Sequence, residues 1–332
     1  MLKRSIAVLA AGLALTATIN IAQARELAFG VFVPAASPTV QKVYQPWVDW
    51  FNEVGAKHDV TIKLYPGGTL GRNPAAQAKL VRDGVADLTI TVPSYTPGVY
   101  PDYDVFELPG FAKNTAEGSQ AALEMQQEGL LKGYDDFYVV AMYTSDSYMI
   151  HSKKPVASVA DIAGQRIRVG GQIQTQVVEA LGGVAQDMGA GEMAEAIDRG
   201  LIDGALTDAS VAKTFRVTDV AKHHFAADLG VLVFAIVMNK GVYEGLPQPV
   251  KDRLAESGRF IVDRQIDSYG KAVEANTAAW ASDSEHTLTI PDDAEKAKIA
   301  EAVQPVIERV SKSASPGLVD AYVKKLEDIR GR

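Results

Sequence analysis

Asp161-Ile162-Ala163-Gly164-Gln165-Arg166-Ile167-Arg168-Val169-Gly170-Gly171 is the stretch on which the fold turns. Gly164 closes a short helical turn, and Gln165 to Val169 alternate polar with apolar residues, the period of a half-buried strand. On such a strand Ile167 and Val169 face one way, and Arg166 and Arg168 face the other. Gly170-Gly171 then releases the chain, and a helix is expected from about Gln172. Arg168 lies nearest the strand's C-terminal end, where open α/β sheets hold their ligands. A guanidinium there, beside a helix N-terminus, is a receptor for an anion, most simply a carboxylate. Position alone favours the plainer alternative, an arginine in a structural salt bridge or in solvent.

Outward from that strand, helices and strands alternate. Glu26–Val33, Val60–Tyr65 and Asp87–Val92 read as strands, with Val40–Val54 and Ala75–Asp83 as the helices between them. Ser37 is placed to cap the first helix, and Pro66-Gly67-Gly68 stops the second strand. This alternation calls for an α/β sheet covered on both faces. Leu80-Val81-Arg82-Asp83-Gly84-Val85-Ala86-Asp87 is echoed by Ala196-Ile197-Asp198-Arg199-Gly200-Leu201-Ile202-Asp203. Glycine after a helix is commonplace, so the echo alone leaves chance open, but two lobes of similar build are the economical reading. Tyr138–Tyr143 would lead out of the first lobe and Val231–Met238 back into it, giving a hinged clam-shell. Pro247 and Pro249 open a long helix towards Ser282. A short strand at His286–Ile290 and helices near 293–312 and 316–329 complete the chain.

Met1 to Ala24 has the form of an export signal. Lys3 and Arg4 precede an apolar run, and Ala22-Gln23-Ala24 offers a small-x-small cleavage pattern, placing the cut after about Ala24 and the product in the periplasm. No later stretch is apolar enough to span a bilayer. There is no cysteine, so disulfides and thiolate chemistry are excluded. A net charge of −8 argues against a nucleic-acid partner. The remaining length suggests two domains.

Chemical motifs are scarce. His223 and His224 are adjacent and diverge on any regular element, and no metal-binding spacing exists. Gly67-Gly68-Thr69-Leu70-Gly71 lacks the Lys-Ser/Thr of a phosphate loop, and no nucleophile elbow is present. No cofactor and no metal is expected.

The order of motifs resembles a specific family. Tyr65-Pro66-Gly67-Gly68-Thr69-Leu70-Gly71, Val105-Phe106-Glu107-Leu108-Pro109-Gly110-Phe111, Ser152-Lys153-Lys154-Pro155-Val156, the arginine strand, Asp203-Gly204 and Met238-Asn239-Lys240 occur in its sequence order. It is that of the extracytoplasmic solute receptors of tripartite ATP-independent periplasmic (TRAP) transporters, the dicarboxylate-receptor family. The resemblance implies an α/β, two-lobed periplasmic binding protein with hinge strands and a long helix spanning the lobes. On that plan residues 25–145 with about 234–273 form one lobe, and 146–233 with about 274–332 the other. It implies a small organic acid as ligand and membrane permease subunits as partners. It also implies that Arg168 grips the ligand carboxylate, while Arg166 stays structural.

Three departures bear on the ligand. Ser147 stands where many members carry a second arginine, Gly170-Gly171-Gln172 replaces the usual proline after the arginine strand, and Ala205-Leu206-Thr207-Asp208 replaces a frequent Gln-Glu-Asn-Pro. One fixed cation favours a monocarboxylate with a less polar, aromatic tail. Tyr95, Tyr148, Phe234 and Gln172 are the candidates to line that tail, with Tyr148 and Phe234 equally at home in a core. Ser94, Thr207 and Asp208 are candidate hydrogen-bonding residues. The readings held beside transport are a periplasmic enzyme using Arg168 as a substrate clamp, and a ligand-sensing subunit for a signalling receptor.

Overall fold

The computed structural model describes residues 24–332, so the export signal lies outside the described residues apart from Ala24. Among the described residues eleven strands form two sheets. In chain order they are β1 (Arg25–Gly30), β2 (Val60–Tyr65), β3 (Leu88–Thr91), β4 (Phe137–Thr144), β5 (Met149–Ser152) and β6 (Arg166–Val169), then β7 (Val184–Asp187), β8 (Gly204–Thr207), β9 (His223–Phe225), β10 (Val233–Asn239) and β11 (Thr287–Thr289). The first sheet runs β2-β1-β3-β10-β4 and the second β11-β9-β5-β8-β6-β7. The chain therefore leaves the first sheet after β4 and returns only at β10, as the sequence predicts.

The two crossing segments are bonded to each other. Ser145 N donates to Leu232 O at 2.8 Å, and Tyr148 N donates to Gly230 O at 2.7 Å. Leu232 N closes the pair on Ser145 Oγ at 2.9 Å. The helix Gln248–Ser282 packs on β4 at one end and on the helix Ala209–Thr214 of the second sheet at the other. The last helix, Leu318–Arg330, lies on the helix Thr115–Gln127 beside the first sheet, where Arg330 pairs with Glu117 and Lys325 with Glu124.

The internal echo is structural. Gly84 and Gly200 both have left-handed backbones, with φ of 72° and 70°, which is cheap only without a Cβ. After each, two amides fold back onto one carbonyl: Val85 and Ala86 onto Leu80, Leu201 and Ile202 onto Ala196. Each echo then ends on a carboxylate that accepts from a neighbouring strand's amide. Asp87 takes Ala28 N at 2.8 Å, and Asp203 takes Arg166 N at 2.9 Å. Val40–Gly55 forms the first helix as predicted, and Ser37 Oγ accepts from Val40 N at 3.2 Å. Among the described residues no helix is long and apolar enough to cross a membrane.

Candidate functional site

A cleft lies where the two sheets face each other, holding about 740 Å³ of empty space, part of it open to solvent. Phe32, Val33, Tyr44, Tyr143 and Phe234 line it from the first sheet and the helix on it, Tyr148, Arg168, Thr207 and Phe215 from the second side, and Gln265 and Tyr269 from the long helix. It continues into a more open depression bordered by Lys213 and Asn276.

Arg168 is the charged residue of this lining. It stands on β6, paired in register with Ala205 of β8 and Gln186 of β7. The side chain is 3% exposed, and its Nε donates to Met188 O at 3.0 Å. Among the described residues no carboxylate lies within 4.0 Å of it, and its side-chain neighbour in the cleft is the Tyr95 hydroxyl. Arg166 differs: its Nε meets Asp203 Oδ2 at 3.0 Å and its Nη2 reaches Gly200 O at 2.9 Å. One strand thus carries a tied arginine at its start and an untied one at its end.

Gly170 and Gly171 now have reasons. A Cβ at Gly170 would stand 2.7 Å from Arg168 Nη2, so glycine lets the guanidinium lie across the backbone. A Cβ at Gly171 would stand 2.6 Å from Ser94 Oγ, which belongs to the other sheet's side, so the lobes touch here. Gln174 holds the turn, its Oε1 accepting from Gly170 N at 2.8 Å.

The remaining sequence candidates divide. Tyr95, Tyr148, Thr207 and Phe234 line the cleft with Arg168. Phe234 stacks on Tyr143 with centroids 5.2 Å apart. Burial raises the phenols of Tyr95 and Tyr148, the Arg168 charge pulling both partly back, so both stay hydroxyl donors. Thr207 Oγ1 is buried without a partner. Ser94 sits at the lobe contact rather than in the lining. Gln172 is half-buried at the first position of the helix Gln172–Ala180 and does not border the cleft; Gln174, one turn back onto the loop, does the organising. Ser147 is tied to Asp228 Oδ1 at 3.2 Å.

Asp208 caps the helix Ala209–Thr214, accepting from Ser210 N at 2.8 Å and Val211 N at 3.0 Å, and takes Tyr269 O–H at 2.8 Å. Burial pushes its carboxyl up to about 7, against those donors. It braces the cleft wall from behind. Glu107 is buried beside the same region, and burial drives its carboxyl well above the usual range, with Asp104 adding to the effect.

Sequence reading missed Gln265 and Tyr269. Their signal was present in the spacing Ile261, Gln265, Tyr269, an i, i+4, i+8 stripe on which an amide is out of place. The histidines also assemble, although among the described residues no group of three or more His, Cys, Asp or Glu is arranged to hold a metal ion. His151 Nδ1 meets His224 Nδ1 at 2.8 Å, and His224 Nε2 meets His286 Nδ1 at 2.8 Å.

Comparison with known proteins gives the family and the fold. The family profile of the bacterial extracellular solute-binding proteins, family 7, matches residues 29–313. The C4-dicarboxylate-binding periplasmic protein DctP of Rhodobacter capsulatus is 24% identical over 272 residues, covering 77% of this chain and 79% of that one. A marine metagenome TRAP solute-binding protein specific for aromatic acid ligands, solved with metahydroxyphenylacetate, superposes with a TM-score of 0.83 at 25% identity, over 91% of this chain and 98% of that one. A TRAP solute-binding protein from Rhodoferax ferrireducens T118, solved with copurified benzoate, gives a TM-score of 0.83 at 24% identity, over 92% and 99% of the two chains.

Proposed function

The chain belongs to the bacterial extracellular solute-binding proteins of family 7, and from that premise we propose that it captures a monocarboxylate with an aromatic tail and hands it to a TRAP membrane permease. As a TRAP solute-binding protein it is a periplasmic substrate receptor and not an enzyme. Export through Met1–Ala24, with cleavage after about Ala24, belongs to the same proposal.

The observation that carries the reading is Arg168, a buried cation that borders the cleft beside the Tyr95 hydroxyl and has no carboxylate partner among the described residues. An unpaired buried charge is costly, and a bidentate carboxylate on Nη1 and Nη2 satisfies it. Among the described residues no second arginine borders the cleft, so one carboxylate is matched and a second is not. The aromatic walls, Phe32, Phe215 and Phe234 with the tyrosines, suit a flat apolar tail. The aromatic-acid specificity of the marine metagenome relative supports the same class. The lobes close about the paired crossing segments at 144–148 and 229–233.

The test is a thermal-shift panel of aromatic and aliphatic acids on the mature chain. A ligand that binds only the folded state raises its melting temperature. Arg168→Ala is expected to lose about 2–5 kcal/mol of binding, roughly thirtyfold to several thousandfold in Kd. Arg166→Ala, which breaks the pair with Asp203, is expected to keep the ligand shift on a less stable protein. Normal binding by Arg168→Ala would refute the anchor.

A further inference from the structure

Arg168 is not the only unsatisfied group in the cleft. Thr207 Oγ1, in a side chain with no exposure, and Gln265 Oε1, in one 1% exposed, are both buried without a hydrogen-bond partner among the described residues. Both residues line the cleft, Thr207 from β8 and Gln265 from the long helix. Buried polar atoms are almost always paired, so two orphans on residues that line one cleft point to a partner that arrives with the ligand.

The lining restricts what that partner is. Among the described residues it includes no carboxylate, so a ligand ammonium would be buried without a counter-charge, and no cation besides Arg168, so a second ligand carboxylate would fare no better. The partner is therefore neutral. An amide oxygen only accepts, whereas a threonine hydroxyl both donates and accepts. A ligand hydroxyl that donates to Gln265 and accepts from Thr207 satisfies both. With the amide turned over, the same hydroxyl accepts from its N–H and donates to threonine. An ether or a halogen cannot do this.

Position agrees. Arg168 is in register with Ala205, and Thr207 lies two residues further along β8 on the same face. One strand spacing across and two residues along set the two Cα atoms roughly 8 Å apart. Resting on the carboxylate reading above, we propose that the ligand is a hydroxylated aromatic monocarboxylate, its acid on Arg168 and its hydroxyl between Thr207 and Gln265.

The experiment is isothermal titration of the mature chain with benzoate, meta-hydroxybenzoate and para-hydroxybenzoate, on wild type, Gln265→Leu and Thr207→Val, with the fold of each variant checked by its melting curve. One hydroxylated isomer is expected to bind at least about tenfold tighter than benzoate, because its absence leaves buried groups unpaired. That ratio is expected to fall to within about threefold in Gln265→Leu and to shrink in Thr207→Val. Benzoate binding as tightly as either isomer would overturn the hydroxyl assignment and leave the anchor standing. A preference unchanged in both variants would also overturn it. Failure of all three acids to bind would refute the aromatic-acid reading, and this inference with it.

Discussion

Replacing His224 with phenylalanine tests how the second lobe is held together. His224 stacks on Trp280 with centroids 4.1 Å apart and bridges His151 and His286. Lys222 Nζ stands 3.2 Å from His286 Nε2. An ammonium only donates, so His286 Nε2 accepts and its proton sits on Nδ1. It follows that His224 carries its proton on Nδ1 and His151 on Nε2, a neutral chain polarised from the surface inward. Burial holds His151 down to about 3 and His224 down to about 2, from 6.5, with the neighbouring imidazoles adding to the effect at His224. The unfolded chain therefore takes up these protons first. The stabilisation is complete above the unfolded value of 6.5 and drains away as pH falls. At about pH 5 each such histidine has lost about 2 kcal/mol, whatever its exact folded value below that. Total stability is a poor reporter, because Asp208 and Asp104, raised to about 7 and about 6, shift the other way and gain stability on acidification. The difference between wild type and variant isolates the chain. In urea unfolding at about pH 8, His224→Phe is expected to be less stable by about 1–3 kcal/mol, from the partners left unpaired. At about pH 5 that gap is expected to narrow by about 2 kcal/mol or more. A gap constant to within about 0.5 kcal/mol across that range would refute the neutral-chain reasoning.

Gly171→Ala brings a Cβ to 2.6 Å from Ser94 Oγ and 3.1 Å from Ser94 Cβ. The hydroxyl can rotate away but the Cβ cannot, so the contact between lobes is expected to weaken by about 1–3 kcal/mol, roughly five- to 150-fold in ligand affinity. The unliganded melting temperature should change little, and adding Ser94→Gly should restore most of the affinity by titration. Asp208→Ala removes a helix cap and leaves the Tyr269 hydroxyl unpaired, at an expected cost of about 1–3 kcal/mol by denaturant unfolding. Asp208→Asn, which keeps the accepting oxygen, should recover much of it. Gly84→Ala and Gly200→Ala each force a left-handed backbone on alanine, costing about 1–2 kcal/mol. One lies beside each sheet, so in the double variant the two losses should add.

The sequence made the strand ends legible because glycine and proline mark them chemically. Gln172, Pro247 and the second strand all fall within a residue of where punctuation put them. It also separated the two arginines of β6. They share a face, but only the one at the C-terminal end opens on the cleft, while the other meets Asp203 from the echo. What stayed hidden depends on pairing between distant segments. Adjacency of His223 and His224 suggested divergence, which is correct for those two and irrelevant to the chain that forms. His151 lies opposite His224 because β5 runs antiparallel to β9, and β11 brings in His286 from 62 residues further on. No local period records a register between strands 73 residues apart.

The same limit explains the split among the predicted site residues. Tyr95, Tyr148, Thr207 and Phe234 lie in or within a few residues of strand ends, and those ends border the cleft. Gln172 failed that test by one helical position. At the first residue of the helix Gln172–Ala180 it has no reason to turn back, whereas Gln174, two residues on, reaches the amide of Gly170. Asp208 stands beside Thr207 as a candidate hydrogen-bonding residue, yet alternation along the strand turns consecutive side chains to opposite faces. Thr207 faces the cleft, so Asp208 faces the helix it caps and the tyrosine of the long helix. A single step in register therefore divides the residue that lines the cleft from the residue that steadies the wall behind it.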